Sequence, residues 1–301
     1  MCGIIGLMVR KEELRRSLGE LILPMFDCMA ERGPDSAGLA VFAAAVEPPL
    51  RRFSLFATGS GYDWYALAES LQREFGCRAE LAVRDNRAEM IAPLEAGRFR
   101  QWLKARDGGV RILSAGRSIE VFKDVGRPDQ VARRYGFAEV QGTHCVGHTR
   151  MATESQVSPA HAHPFTAGED FCLVHNGSLS NPYSLRRLLE EEELEFETDN
   201  DSESACRFLQ WRMQRHGETI EQALRSAFEK VDGFYTFLIG TARELILVRD
   251  AFACKPAVVA ETEDYVAISS EYRSLAHLPG VANANIFEPL PERIYMWQVG
   301  A

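Results

Sequence analysis

Directly behind its first methionine the chain reads CGIIGLMV, residues 2–9. This unbroken apolar run reads as a buried strand. It is joined by strand-like runs at GLAVFAA (38–44), RFSLFAT (52–58), GFYTFLIGT (233–241), ELILVRD (244–250), PAVVAET (256–262) and DYVAISS (264–270). Between them lie helical patterns. Residues 11–32 carry Leu14, Leu18, Leu21, Ile22, Met25 and Met29 at helical spacing, with Pro24 as a candidate kink, and further helices are expected at 201–215 and 218–231. Strand runs mixed with helix runs, without regular βαβ alternation, point to α+β layers rather than a doubly wound sheet.

The segment 60–138 reads as helix, strand, helix, two strands, helix. Its helices are expected at 62–76, 92–106 and 128–136, and two of its strands at 110–116 and 118–124. No clear linker or internal repeat divides the chain, and 301 residues suffice for one large domain. The acidic run EEEELEFE (190–197) reads as a solvated helix end.

A net charge of −9 argues against a general nucleic-acid binder, which needs a basic face. No run approaches the roughly 18 apolar residues of a membrane span. The first apolar stretch has no basic segment before it, so no signal peptide is expected. The cysteines at 2, 28, 77, 145, 172, 206 and 254 form no CxxC pair. That pattern suggests reduced thiols in a cytoplasm and argues against a zinc or iron–sulfur site.

Cys2 has special chemistry once Met1 is removed. The thiol, with an unperturbed pKa of about 8.5, then shares its Cα with an amine titrating near 7.7–8.0. One residue thereby supplies a nucleophile and a general base. Alone, Cys2 reads more readily as a plain first-strand residue behind a retained Met1. HNG (175–177) follows the apolar FCLV; Asn176 offers a side-chain NH₂ and Gly177 a backbone N–H to a developing oxyanion, although Asn-Gly is also a common hairpin turn. Arg150, in HTR (148–150), suits a carboxylate. In DNDSE (199–203), Asp201, Ser202 and Glu203 suit either helix capping or an ammonium group. Together these pieces describe a site for a free amino acid with a reactive side-chain carbonyl. HAHPF (161–165) has two histidines but no third ligand, and is expected to be a loop near that site rather than a metal centre.

The ordered motifs MCGIIGL, ERGPDSAGLAVF, VGHTRMAT, HNG and NDSE resemble the class II glutamine amidotransferases, over about residues 2–42 and 144–270. The resemblance implies a four-layer αββα sandwich of the N-terminal-nucleophile type, spanning the whole chain as one domain with an enlarged middle segment at about 55–140. It implies that Cys2 attacks the side-chain amide of glutamine to give a thioester and ammonia, then glutamate. Asn176 and Gly177 match the oxyanion hole, Arg150 the residue for the α-carboxylate and Asp201 the residue for the α-ammonium. Asp201 is preferred to Asp199 because Ser-Glu follows it. Thr153 and Arg32 match supporting substrate-site positions, and no metal is implied.

Met151, with Glu154 and Ser155 after it, departs from the glucosamine-phosphate synthases. The stretch SAGRSIEVFKDVGRPDQVARRYG (114–136) resembles stand-alone glutamate-synthase-like subunits, including the small subunit of N-methylglutamate synthase. After residue 270 no phosphate loop, Rossmann fingerprint or CxxC cluster follows. The expectation is therefore a cytoplasmic glutaminase subunit without its own cofactor, in a hetero-oligomer whose large subunit carries FMN and iron–sulfur centres and consumes the ammonia. Two other readings stay open: a stand-alone amidase on γ-glutamyl amides, and a non-catalytic regulatory subunit that kept the fold.

Overall fold

Every residue of the strand Gly3–Val9 is buried. The computed structural model, which describes residues 2–59, 61–106, 109–152 and 156–300, shows what covers it. Successive side chains of a strand point to opposite faces. Ile5, Leu7 and Val9 pack into a helical layer with Leu18, Ile22, Met25 and Phe26 of the helix Leu18–Met29. Ile4 and Met8 face the other way, toward Val174, Leu238, Leu245 and Leu247 of a second sheet. Both edges of the strand are also occupied, antiparallel, by Tyr265–Ser269 and His144–Arg150.

The sheet containing this strand has seven members, in the spatial order Asn285–Phe287, Val258–Glu261, Tyr265–Ser269, Gly3–Val9, His144–Arg150, Ser36–Phe42 and Ile119–Val125. The second sheet has five, in the order Tyr295–Gln298, Glu244–Arg249, Gly233–Thr241, Phe171–Leu179 and Phe165–Thr166. The helices Pro182–Glu191, Asp201–His216 and Ile220–Lys230 cover its outer face, setting Leu189, Phe208 and Leu224 against Leu173, Phe237 and Ile239. Helix, sheet, sheet and helix stack as an αββα sandwich, an α+β fold. The sheets pack tightly: a Cβ on Gly240 would collide with the buried Phe42 ring. No helix among the described residues is long and apolar enough to cross a membrane.

Residues 51–116 build a separate layer. Its four strands run in the order Glu80–Arg84, Arg87–Ala92, Arg51–Ala57 and Val110–Gly116. The helices Trp64–Phe75 and Ala96–Arg106 lay Trp64, Leu71, Phe99 and Leu103 onto this sheet. Sequence reading placed one strand between these helices; the structure has a hairpin. Asp85 turns it with φ of 57°, in the left-handed region that aspartate tolerates. Arg87, fully buried, fastens the layer to the sandwich. It donates from Nε to the Val121 carbonyl at 2.8 Å and from Nη2 to Glu120 at 2.9 Å, and lies over the Phe122 ring at 3.7 Å.

Other boundaries shift modestly. The expected 11–32 helix begins as the 3₁₀ turn Glu12–Ser17 and becomes α-helical at Leu18, keeping Pro24 inside. The helix Pro182–Glu191, absent from the sequence reading, precedes most of the acidic run.

Gly240→Ala is expected to lower stability by about 1–3 kcal/mol, the usual cost of overpacking a filled core. Urea unfolding measures this; wild-type stability in the variant would mean that the two sheets separate freely.

Candidate active site

The strand that occupies the middle of the seven-stranded sheet carries Cys2 immediately before its first residue. Backbone contacts hold this end in place. The Cys2 carbonyl accepts from Arg32 Nε at 2.8 Å, and Arg32 Nη1 pairs with Glu271 at 2.7 Å. Arg32 is therefore a clamp on the cysteine and does not line the cavity that Cys2 faces, unlike the substrate-side position expected for it. The thiol is half-buried and its Sγ lies 3.7 Å from the Met151 carbonyl.

That cavity, of about 470 Å³, is lined by Cys2, Arg150, Gly177, Asp199 and Asp201 among others. Its size falls in the ordinary range for small-molecule sites. Four of the seven residues singled out in the sequence thus line one space, although they come from four segments of the chain. Asn176 sits one residue behind Gly177, buried, and its Nδ2 has no hydrogen-bond partner among the described residues. A buried amide donor left unpaired is costly unless something else receives it. Gly177 has φ of 151°, and a Cβ there would collide with the Phe234 carbonyl, so only glycine fits. Thr153 lies outside the described residues.

Arg150 ends its strand. Its Nη1 donates to the Gln156 carbonyl at 3.1 Å, and its own carbonyl accepts from Asp35 N at 3.0 Å. Burial lowers its pKa, while Cys2, Asp35, Asp199 and Asp201 act in the opposite sense.

Asp201 opens the helix Asp201–His216, but it is not the cap: Asn200 is, accepting from Ser202 N at 2.9 Å. Glu203 turns back to accept from the backbone N–H groups of Glu197 and Thr198 at 2.9 and 2.8 Å. Asp201 accepts from Leu179 N at 2.9 Å and from the Ser202 hydroxyl at 3.2 Å, and lies 3.6 Å from His175 Nδ1. Burial pushes its carboxyl up, but His175, the Leu179 N–H and the Ser202 hydroxyl outweigh this and pull it down to about 2. Asp199 is instead exposed and paired with His161 Nε2 at 2.8 Å.

Sequence reasoning missed the wall behind these groups. His148, His163 and His175 are all buried. The His148 and His163 rings stack at 4.0 Å. Ser202 Oγ lies 2.9 Å from both His163 Nε2 and His175 Nδ1. Because the ionised Asp201 takes the one hydroxyl proton of Ser202, both imidazoles must donate their N–H to that oxygen. The bond from His148 Nε2 to the His175 carbonyl, at 3.0 Å, likewise fixes its proton on Nε2. Burial pulls His148 down to about 3 and His163 well below its ordinary value, which keeps both rings neutral. Each histidine stands within two residues of a motif residue, in HTR, HAHPF or HNG, and that adjacency was the available signal. The HAHPF loop lies at the cavity through His163 and meets Asp199 through His161. Lys255 and Tyr183 complete the missed wall. Among the described residues no group of three or more His, Cys, Asp or Glu could hold a metal ion.

Two cations, two carboxylates and a thiol on one small space, with an unpaired amide donor one residue behind Gly177, suit a zwitterion with an electrophilic carbonyl. Comparison with known proteins agrees. The glutamine amidotransferase domain family matches residues 148–277. A glutamine amidotransferase-like protein of Rhizobium meliloti, GlxB, is 45% identical over 298 residues, covering 99% of this chain and 98% of that protein. A putative glutamine amidotransferase of Methanothermobacter thermautotrophicus is 29% identical over 98% of this chain and 99% of its own length. The solved glutamine phosphoribosylpyrophosphate amidotransferase of B. subtilis is similar in fold, with a TM-score of 0.63 at 17% identity. That match covers 98% of this chain and 47% of the larger one, so this chain spans about half of that protein.

Asp201 ties its low pKa to stability. Its folded pKa lies below the unfolded value of about 3.9, so its contribution is complete above pH ~4 and is lost as pH falls through ~2. Wild-type stability is expected to rise more steeply across this window than that of Asp201→Asn, measured by urea unfolding at each pH; equal slopes would refute the depressed pKa.

Proposed function

The chain belongs to the class II glutamine amidotransferases, and from that premise we propose that its cavity hydrolyses glutamine to glutamate and ammonia for use by a separate synthase subunit. The observation that carries the reading is the anchored Cys2 facing one cavity with Gly177, Arg150 and Asp201. Removal of Met1 frees the Cys2 α-amine. That amine takes the thiol proton, and the sulfur attacks the side-chain amide carbon. The N–H of Gly177 and the unpaired Nδ2 of Asn176 receive the oxyanion. The protonated amine then delivers its proton to the departing nitrogen, and ammonia leaves a thioester. Water, deprotonated by the same amine, releases glutamate. Arg150 holds the α-carboxylate and Asp201, ionised throughout the neutral range, holds the α-ammonium. Arg32 acts through Cys2 by fixing its carbonyl.

The ammonia acceptor in this reading is a glutamate-synthase-like large subunit with FMN and iron–sulfur centres, within a hetero-oligomer. The support is the likeness of residues 114–136 to stand-alone glutamate-synthase-like subunits. Formation of N-methylglutamate is the acceptor reaction to try first.

Cys2→Ala is expected to abolish glutamate release from glutamine while leaving circular dichroism unchanged, and intact mass of the wild type should lack Met1. Full activity in the variant would place the nucleophile elsewhere. Copurification from the native host is expected to bring down a flavin-containing synthase subunit; recovery of a fully active lone chain would overturn the partner assignment.

A further inference from the structure

Lys123 lies on the strand Ile119–Val125, at the edge of the seven-stranded sheet, and is buried. Its ammonium has three protons and meets three carbonyls, those of Ala162 at 2.8 Å, Pro164 at 3.2 Å and Ala160 at 3.3 Å. The Phe165 ring lies 4.9 Å from Nζ on a further side. Among the described residues no carboxylate forms an ion pair with it. Burial lowers its pKa to about 8, with Glu197, Glu203 and Cys206 opposing from farther away, so the cation persists at neutral pH.

An unpaired buried charge is expensive, and a methionine would fill similar space without the cost. What the ammonium supplies is a partner for each of three carbonyls in an irregular segment, 160–164, which has few ladder bonds to satisfy them. That segment carries the two histidines that reach the acidic side of the cavity. His161 meets Asp199, and His163 meets Ser202, which in turn donates to Asp201. One strand thus stands between the cavity loop on one side and the buried Arg87 of the 51–116 layer on the other.

We propose that Lys123 is a positioning residue of the glutamine site, setting the 160–164 loop so that His161 and His163 hold Asp199 and the Ser202–Asp201 pair where the α-ammonium of glutamine binds. The proposal rests on the glutaminase reading above.

The test is Lys123→Met, assayed for glutamate formation in the complex with which the full chain copurifies. A positioning role predicts a rise of about tenfold in glutamine KM with kcat within about threefold of wild type. A merely structural role would reduce the amount of active enzyme, lowering apparent kcat at constant KM, and that result overturns the proposal. If the variant does not fold, the wild type decides. The chain has five lysines, so ¹⁵N-lysine labelling resolves the caged ammonium by its slow proton exchange. Saturating glutamate should shift that resonance; an unmoved resonance overturns the proposal. Wild-type complex that fails to hydrolyse glutamine would instead sink the glutaminase reading itself.

Discussion

A strand that is apolar on both faces has to be covered on both, and the Gly3–Val9 strand sets the architecture through that requirement. One face demands a helical layer, the other a second sheet, and that second sheet in turn exposes a new apolar face needing helices of its own. Four layers follow from one short run. The same burial gives Cys2 its precision. A chain terminus is ordinarily loose. Here the residue before the strand inherits the rigidity of the sheet centre, and Arg32 adds a direct hold on its carbonyl.

The chemistry of the cavity depends on keeping charge on some groups and off others. Asp201 stays ionised because His175 faces it and because it accepts from a backbone N–H and a hydroxyl at the start of a helix, where the dipole also favours an anion. His148 and His163 stay neutral in the dry interior and serve as hydrogen-bond donors with fixed tautomers. A positive charge on His163 would sit beside Ser202 and compete with an incoming ammonium for Asp201. The neutral His163 ring orients the Ser202–Asp201 pair without satisfying its charge.

Much of this was legible in the residues, for physical reasons. The strand 233–241 matches its sequence reading at both ends, because its apolar run is continuous and glycine and threonine bound it. Cys2, Gly177, Arg150 and Asp201 were identified from ordered motifs, and the fold brings all four to one cavity. Other features left weaker traces. The strand Glu80–Arg84 is mostly exposed at a sheet edge, so its sequence has no buried face to betray it. Arg32 belongs to a turn, and nothing local shows that its guanidinium reaches Cys2 and Glu271, the latter 239 residues away. Lone histidines are commonplace core residues, and only the folded chain stacks His148 on His163.

The pairing of the first strand has a consequence for when the protein becomes chemically competent. Gly3–Val9 is made before its neighbours in the sheet, His144–Arg150 and Tyr265–Ser269. Ile4 exchanges hydrogen bonds with Ser270 at 3.0 and 3.1 Å. Contacts of such long sequence separation form late, because the chain between them must first be ordered. The thiol is thus synthesised well before the segments that place it. A nascent chain or a C-terminally broken fragment carries the cysteine but no site around it. Topology by itself withholds reactivity until the chain has been made and folded through residue 270.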